Sequence, residues 1–155
     1  MSIAVFLAAA VLAFFPASAN GGGIPLSPTE HAFLVEINKT RVEHGVGRVV
    51  LSDNLVRAAR FHSQDMIRRG YFEHGVYWRR LQQFGVKYGS VGENLGWDSH
   101  LKIAVPELVE LWRESPEHRA VLLSRKYNEV GIGVAFGPFA GIRKVMVVTA
   151  DFFGP

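Results

Sequence analysis

Two imidazoles and a carboxylate carry the chemistry that this sequence could do: His74 in Phe72-Glu73-His74, Glu93 in Gly92-Glu93-Asn94-Leu95, and His118 in Ser115-Pro116-Glu117-His118. Two neutral imidazoles with one carboxylate form a donor set that suits zinc, and a fourth position would stay open to water or ligand. Affinity for the cation should fall below about pH 6.5, because imidazoles must lose their protons to coordinate. The competing structural reading pairs His74 with Glu93 by a hydrogen bond and leaves His118 to cap a helix or meet a backbone carbonyl. The three residues lie in separate segments, so only the fold can bring them together. No His-Glu-x-x-His pattern and no Gly-x-Ser-x-Gly elbow is present. Ser115 beside His118 suggests a Ser–His pair, but a Ser before Pro at a helix start is explained by capping. Tyr71, Trp97 and Trp112 could stack on a ligand; Trp112 falls on the apolar side of a helix and reads as core.

The elements that must position these residues emerge from the patterning. Ser27-Pro28-Thr29-Glu30 combines an N-cap, a proline at the first helical position and a capping-box glutamate. Phe33, Leu34, Ile37 and Arg41 continue one stripe, the arginine lending its aliphatic stem, and Gly45 stops the helix. Val49 to Leu51 is a short extended piece. Ser52 caps a second helix whose buried face carries Leu55, Ala58, Ala59, His62 and Met66, and Gly70 ends it. His62 reads as a core histidine bonded to a neighbour. Residues 71–75 form a loop that delivers His74, and a short helix covers Val76 to Phe84. Gly85, Gly89 and Gly92 punctuate the next stretch, so Val91 to Trp97 is expected to be irregular or briefly extended, with Glu93 delivered from a loop. Lys102 to Glu114 and Pro116 to Leu123 are helices, with Pro106 in the first turn of the former or kinking it. Ile132, Val134 and Phe136, a turn at Pro138 to Gly141, and Val145 to Phe152 make an antiparallel hairpin. Both of its strands are apolar on both faces, which predicts a central sheet covered by helices on each side.

Composition narrows the function classes. The chain has 155 residues, enough for one domain, with nearly half of them apolar and no cysteine. Disulfides, thiolate metal sites and cysteine nucleophiles are excluded. The net charge of +3 is dispersed in pairs such as Arg68-Arg69 and Arg79-Arg80, without the dense stripe that nucleic-acid binding needs. Ile3 to Phe15 is apolar yet shorter than the about 20 residues that span a bilayer. With Pro16 and Ala17-Ser18-Ala19 after it, the segment reads as a leader cleaved near Ala19, although no Lys or Arg precedes it. The expected organisation is a signal peptide over 1–19, a flexible lead-in over 20–28 and one domain over 29–155. Localisation would then be secreted or periplasmic, with no stable membrane span in the mature chain.

A set of short segments in order resembles the CAP superfamily (cysteine-rich secretory protein, antigen 5, pathogenesis-related 1), in its cysteine-free bacterial branch of SCP domains. They are Ile37 to Arg41, Leu51 to Leu55, His62 to Met66, Phe72 to His74, Gly92 to Asn94, Trp112 to Arg119, Val130 to Gly133 and Thr149 to Phe152. The resemblance implies a three-layer α-β-α sandwich with a central antiparallel sheet and a large cleft, where two histidines and two acidic residues can hold a divalent cation. His74, His118 and Glu93 match three of the four. The second glutamate of the family stands three residues after the tryptophan; Ser115 occupies that place, and Glu114 sits one residue earlier, about 100° round the helix. Glu114, Ser115, Asn94, Tyr71 and Trp97 are therefore expected to line the ligand site around the cation. The function implied is a secreted binding module taking a cation and an extracellular ligand, a lipid, glycan or protein. The alternative is a metal-dependent hydrolase of peptide or cell-wall substrates.

Overall fold

The computed structural model describes residues 23–99 and 104–155. The leader expected at 1–19, the start of the lead-in and the expected first residues of the 102–114 helix lie outside the described residues.

Among the described residues, five helices and four strands run in the order α1 (Pro28–Glu43), β1 (Val50–Leu51), α2 (Asp53–Arg69), α3 (Tyr77–Gln83), β2 (Ser90–Asp98), α4 (Val105–Glu114), α5 (Pro116–Leu122), β3 (Glu129–Phe139) and β4 (Ile142–Gly154). The capping box forms at α1: Ser27 Oγ accepts from the Glu30 amide at 3.2 Å, and Glu30 Oε2 accepts from the Ser27 amide at 2.8 Å. Glu30 also takes the Arg60 guanidinium of α2 on both oxygens, at 2.8 and 2.6 Å, so one carboxylate fixes the start of α1 against α2. Gly70 closes α2 in the left-handed region at φ 68°. Ser52 occupies the N-cap position of α2, but its side chain makes no capping bond.

The sheet has the order β1-β3-β4-β2. Its three long strands are antiparallel, β3 and β4 joined by the tight turn at Ala140-Gly141 and β4 paired with β2 along its length. The short extended piece of the sequence is β1, and it runs parallel to β3 through Val50↔Glu129 and Leu51↔Val130. Parallel pairing is open to it because a long crossover, not a hairpin, separates the two strands. The larger departure is β2. A nine-residue strand stands where glycines suggested an irregular stretch, and Glu93 and Asn94 are delivered from a strand, not a loop.

Alternation along the strands builds two cores. Val130, Ile132, Met146, Val148, Ala150 and Phe152 face α1, α4 and α5, where Phe33, Ile37, Leu108, Val109, Trp112 and Leu122 pack with them. Val145, Val147 and Leu95 face the other way, onto Met66 of α2, and Leu55, Ala58 and Leu81 extend that layer toward α3. The result is the three-layer α-β-α arrangement. On the α2 face the sheet is flattened by glycine: a Cβ at Gly131 would lie 2.0 Å from the Leu55 carbonyl carbon, and one at Gly133 would lie 2.1 Å from the Arg60 amide. Helix α2 therefore rests directly on the β3 backbone.

Arg41 corrects the expectation that only its stem is buried. The side chain is fully enclosed, and its guanidinium donates to the carbonyls of Gly47 (2.8 Å), Leu122 (2.7 Å) and Tyr127 (3.0 Å). One helix residue thereby supplies the hydrogen bonds that two irregular segments cannot make for themselves. Asn38 does the same for Val49, donating to its carbonyl at 3.0 Å and accepting from its amide at 2.8 Å.

Candidate functional site

The site forms along the exposed edge of β2, where the two helical layers approach each other around the sheet. Consecutive strand residues point to opposite faces, so Glu93 turns toward α3 and Asn94 toward α5. Asn94 Nδ2 donates to the His118 carbonyl at 3.0 Å and ties α5 to the strand. Glu93 lies opposite Asp151 of β4 in the register.

His74 comes from the loop between α2 and α3, just before Gly75 at φ 59°. Its Nδ1 lies 2.8 Å from Glu93 Oε1. Arg80 of α3 pairs with Glu93 Oε2, stands 3.6 Å from Asp151 Oδ1 and donates to the His74 carbonyl at 3.3 Å. The arginine thus gathers the loop, the strand edge and the sheet interior around one positive charge. His118 stands on the first turns of α5, and its Nδ1 lies 2.8 Å from Ser115 Oγ. Ser115 is the N-cap residue by backbone position, yet its hydroxyl bonds the imidazole instead of the helix amides.

These pieces enclose an open cleft of about 320 Å³ lined by His74, Tyr77, Glu93, Asn94, Glu117, His118 and Val121. The structure therefore brings His74, Glu93, His118 and Asn94 to one space, with Ser115 reaching it through His118. It does not bring the other three. Glu114 is exposed and faces Arg113 at 3.9 Å, as expected from a side chain turned about 100° away. Tyr71 donates its hydroxyl to Asp65 Oδ2 at 2.7 Å beneath the Arg69 guanidinium. Trp97 packs edge-on against Phe139 with ring centroids 5.7 Å apart. Neither aromatic lines the cleft. His62 is buried, with Nε2 2.9 Å from the Glu73 carbonyl.

Arg80, Asp151, Tyr77 and Glu117 belong to the site and were not singled out from sequence. A signal for Asp151 existed: it is the lone charge in the apolar run Val145 to Phe153. Arg80 carried no comparable mark, because it stands in an ordinary arginine pair.

Burial governs the electrostatics. It lowers the pKa of His74, and Arg80 lowers it further; burial and then His74 lower that of His118. Both rings are accordingly neutral at pH 7. Burial raises Glu93, and burial together with the charge of Glu93 raises Asp151 well above the carboxylate range. One guanidinium faces two enclosed carboxyls, and the fully enclosed Asp151 is the one that keeps its proton.

The Glu93 side chain is enclosed, and its oxygens are taken by His74 and Arg80. Among the described residues, no three His, Asp or Glu side chains converge as a metal-binding group. The arrangement does leave both imidazoles with Nδ1 engaged and, among the described residues, Nε2 free of partners. It also weighs against a catalytic Ser115–His118 pair. In a Ser–His–acid triad the ring turns Nε2 to the serine and Nδ1 to the acid, whereas His118 spends Nδ1 on Ser115 and has none left for an orienting carboxylate.

The family model described as CAP, the cysteine-rich secretory protein family, matches residues 34–149. The chain belongs to the CAP family. Over 111 residues, 68% of the chain, this CAP domain is 32% identical to the uncharacterized membrane protein YlbC of Bacillus subtilis (strain 168), covering 31% of that protein. Over 101 residues it is 29% identical to the uncharacterized protein YkwD of the same strain, covering 38% of it. The domain thus spans about a third of the length of these curated relatives. In fold it is similar to an extracellular protein containing a SCP domain from Bacillus anthracis str. Ames, at TM-score 0.66 and 23% identity, covering 86% of this chain and 45% of that one. It is equally similar to an outer surface protein from Borrelia burgdorferi, at TM-score 0.66 and 17% identity, covering 84% of this chain and 96% of that one. Among the described residues no helix is long and apolar enough to cross a membrane.

Proposed function

We propose that this CAP domain is an extracellular binding module whose β2-edge cleft takes a divalent cation, zinc above all, on His74 and His118, and a second ligand beside it. An extracellular setting is supported by the apolar leader pattern and by the extracellular and outer-surface proteins that share the fold.

The observation that carries the cation reading is the pair of tethered rings. A neutral imidazole that donates its Nδ1–H in a hydrogen bond to a carboxylate keeps its lone pair on Nε2, the arrangement in which an outer carboxylate orients a metal-binding histidine. Glu93 stands to His74 in that relation, and Ser115 to His118. Glu93 then acts on the cation through His74, held in place by Arg80. A bound cation would supply a positive anchor for an anionic or carbonyl group of the second ligand. Asn94 fixes the distance between the walls by holding α5 to the strand. Tyr77 and Val121 offer apolar surface to a lipid, glycan or protein segment, and Glu117 disfavours an anion at the rim.

Calorimetric titration of the protein with zinc checks this reading. One site is expected at about pH 7.5, weakening by about pH 5.5 as the imidazoles take up protons, and absent in both His74→Ala and His118→Ala. Glu93→Gln should weaken uptake roughly 10- to 100-fold, as loss of an outer-shell partner does. Zinc uptake that persists in both histidine variants would place the cation elsewhere.

A further inference from the structure

Two further clefts flank the loop between α3 and β2, and neither shares a lining residue with the cleft of the histidines. One, of about 330 Å³, reaches Ser52 and Glu129; the other, of about 210 Å³, reaches Trp78 and Gln82. Val86, Lys87 and Tyr88 line both. The Tyr88 ring stands between them 94% exposed, and Trp78 is 49% exposed.

The loop that presents Tyr88 is braced at each end. Asn54 of α2 donates to the Gly85 carbonyl at 3.3 Å, and Gly85 turns at φ 83°. Gly89 lies so close to the end of β4 that a Cβ there would come within 2.5 Å of the Gly154 carbonyl oxygen. A ring held out from a braced turn loses little freedom when a ligand settles on it.

The lining selects the ligand chemistry. The side chains of Ser52, Gln82, Lys87 and Glu129 make no hydrogen bond or ion pair among the described residues. A purely apolar ligand would leave these groups dry and unpaired. A polyanion would meet Glu129 in the same cleft as Lys87. What remains is an uncharged ligand with apolar faces and polar edges, which is the character of a pyranose ring: its C–H face lies on an aromatic ring while its hydroxyls reach amide, hydroxyl and charged groups. Two clefts sharing one ring call for a chain of at least two such units.

We propose that the α3–β2 loop is a second binding site, for a linear oligosaccharide that crosses Tyr88 from one cleft to the other. Binding of chitotetraose and of cellotetraose to the protein, measured by calorimetry, tests it. At least one of the two binds saturably; Tyr88→Ala weakens that binding roughly tenfold, the loss of one stacked ring, while Tyr88→Phe keeps it within about threefold, since the ring and not the hydroxyl is at work. The side chain is exposed, so thermal unfolding of Tyr88→Ala should match the parent and show that the fold is intact. Failure of the protein to bind either sugar, or binding unchanged in Tyr88→Ala, overturns the proposal.

Discussion

Arg80 lies against two carboxyls that face each other across a strand pair, one of which keeps its proton. Like charges directly opposite in a sheet destabilise it, and Glu93 and Asp151 are direct partners in the register with both side chains enclosed. The guanidinium shares Glu93 with His74 and reaches Asp151 only at 3.6 Å, and both Asp151 oxygens are buried without a hydrogen-bond partner. Replacing Arg80 by Met should cost about 3–5 kcal/mol in denaturant unfolding, the usual loss when one member of a buried ion pair is removed. Adding Asp151→Asn to that variant should restore part of it, because an amide at that position donates to Glu93 and takes up no charge. Strict additivity of the two substitutions would mean that the groups do not interact.

At the scale of elements, helices were legible in the sequence and β2 was not. The capping box announces α1, Gly70 ends α2 and Pro116 opens α5, all through local chemistry that operates within a few residues. Strand β2 offers no alternation, because Gly92 and Gly96 occupy places where a side chain belongs. A Cβ at Gly92 would come within 2.5 Å of the Tyr127 hydroxyl, and one at Gly96 within 2.8 Å of Leu108. These glycines are packing surfaces for partners distant in sequence, and read locally they look like turn punctuation. The same distance from local cues hides Arg80, whereas Asp151 shows as the lone charge of its apolar run. Ser115 differs, because both candidate partners of its hydroxyl are local: it has a helix end and an imidazole three residues on within reach, and it bonds the imidazole. Close glycine packing can be tested on β3. Gly133→Ala should destabilise the fold by about 1–3 kcal/mol or more through overpacking against α2. Gly47→Ala, with nothing within 4 Å of the added methyl, should leave thermal unfolding nearly unchanged. Equal behaviour of the two would show that α2 does not rest on the strand backbone.

For the whole molecule, buried histidine sets the acid limit. His62 is pulled down to about 4, by burial first and then by Arg80. In the unfolded chain it titrates near its ordinary value of about 6.5, so over this interval the unfolded state binds the proton and the native state does not. Stability from this group is therefore complete above about pH 6.5 and is lost as pH falls through about 4. His74 and His118, also lowered, act in the same direction. The urea midpoint should decline across that interval, and His62→Gln should flatten part of the decline while lowering the midpoint at neutral pH. A slope unaltered by that substitution would assign acid sensitivity to other groups.

The carboxylate and the amide of the cleft are neighbours on one strand, which makes the site a readout of how β2 sits against β4. Sliding that strand by one residue would turn the acid out to α5 and push the amide in beside the arginine, undoing both walls at once. Length changes in the preceding loop can be absorbed only ahead of Gly89, where the chain is clamped to Gly154. Variation there would reshape the tyrosine ridge while leaving the histidines untouched, so one face of the molecule is free to diversify and the other is not.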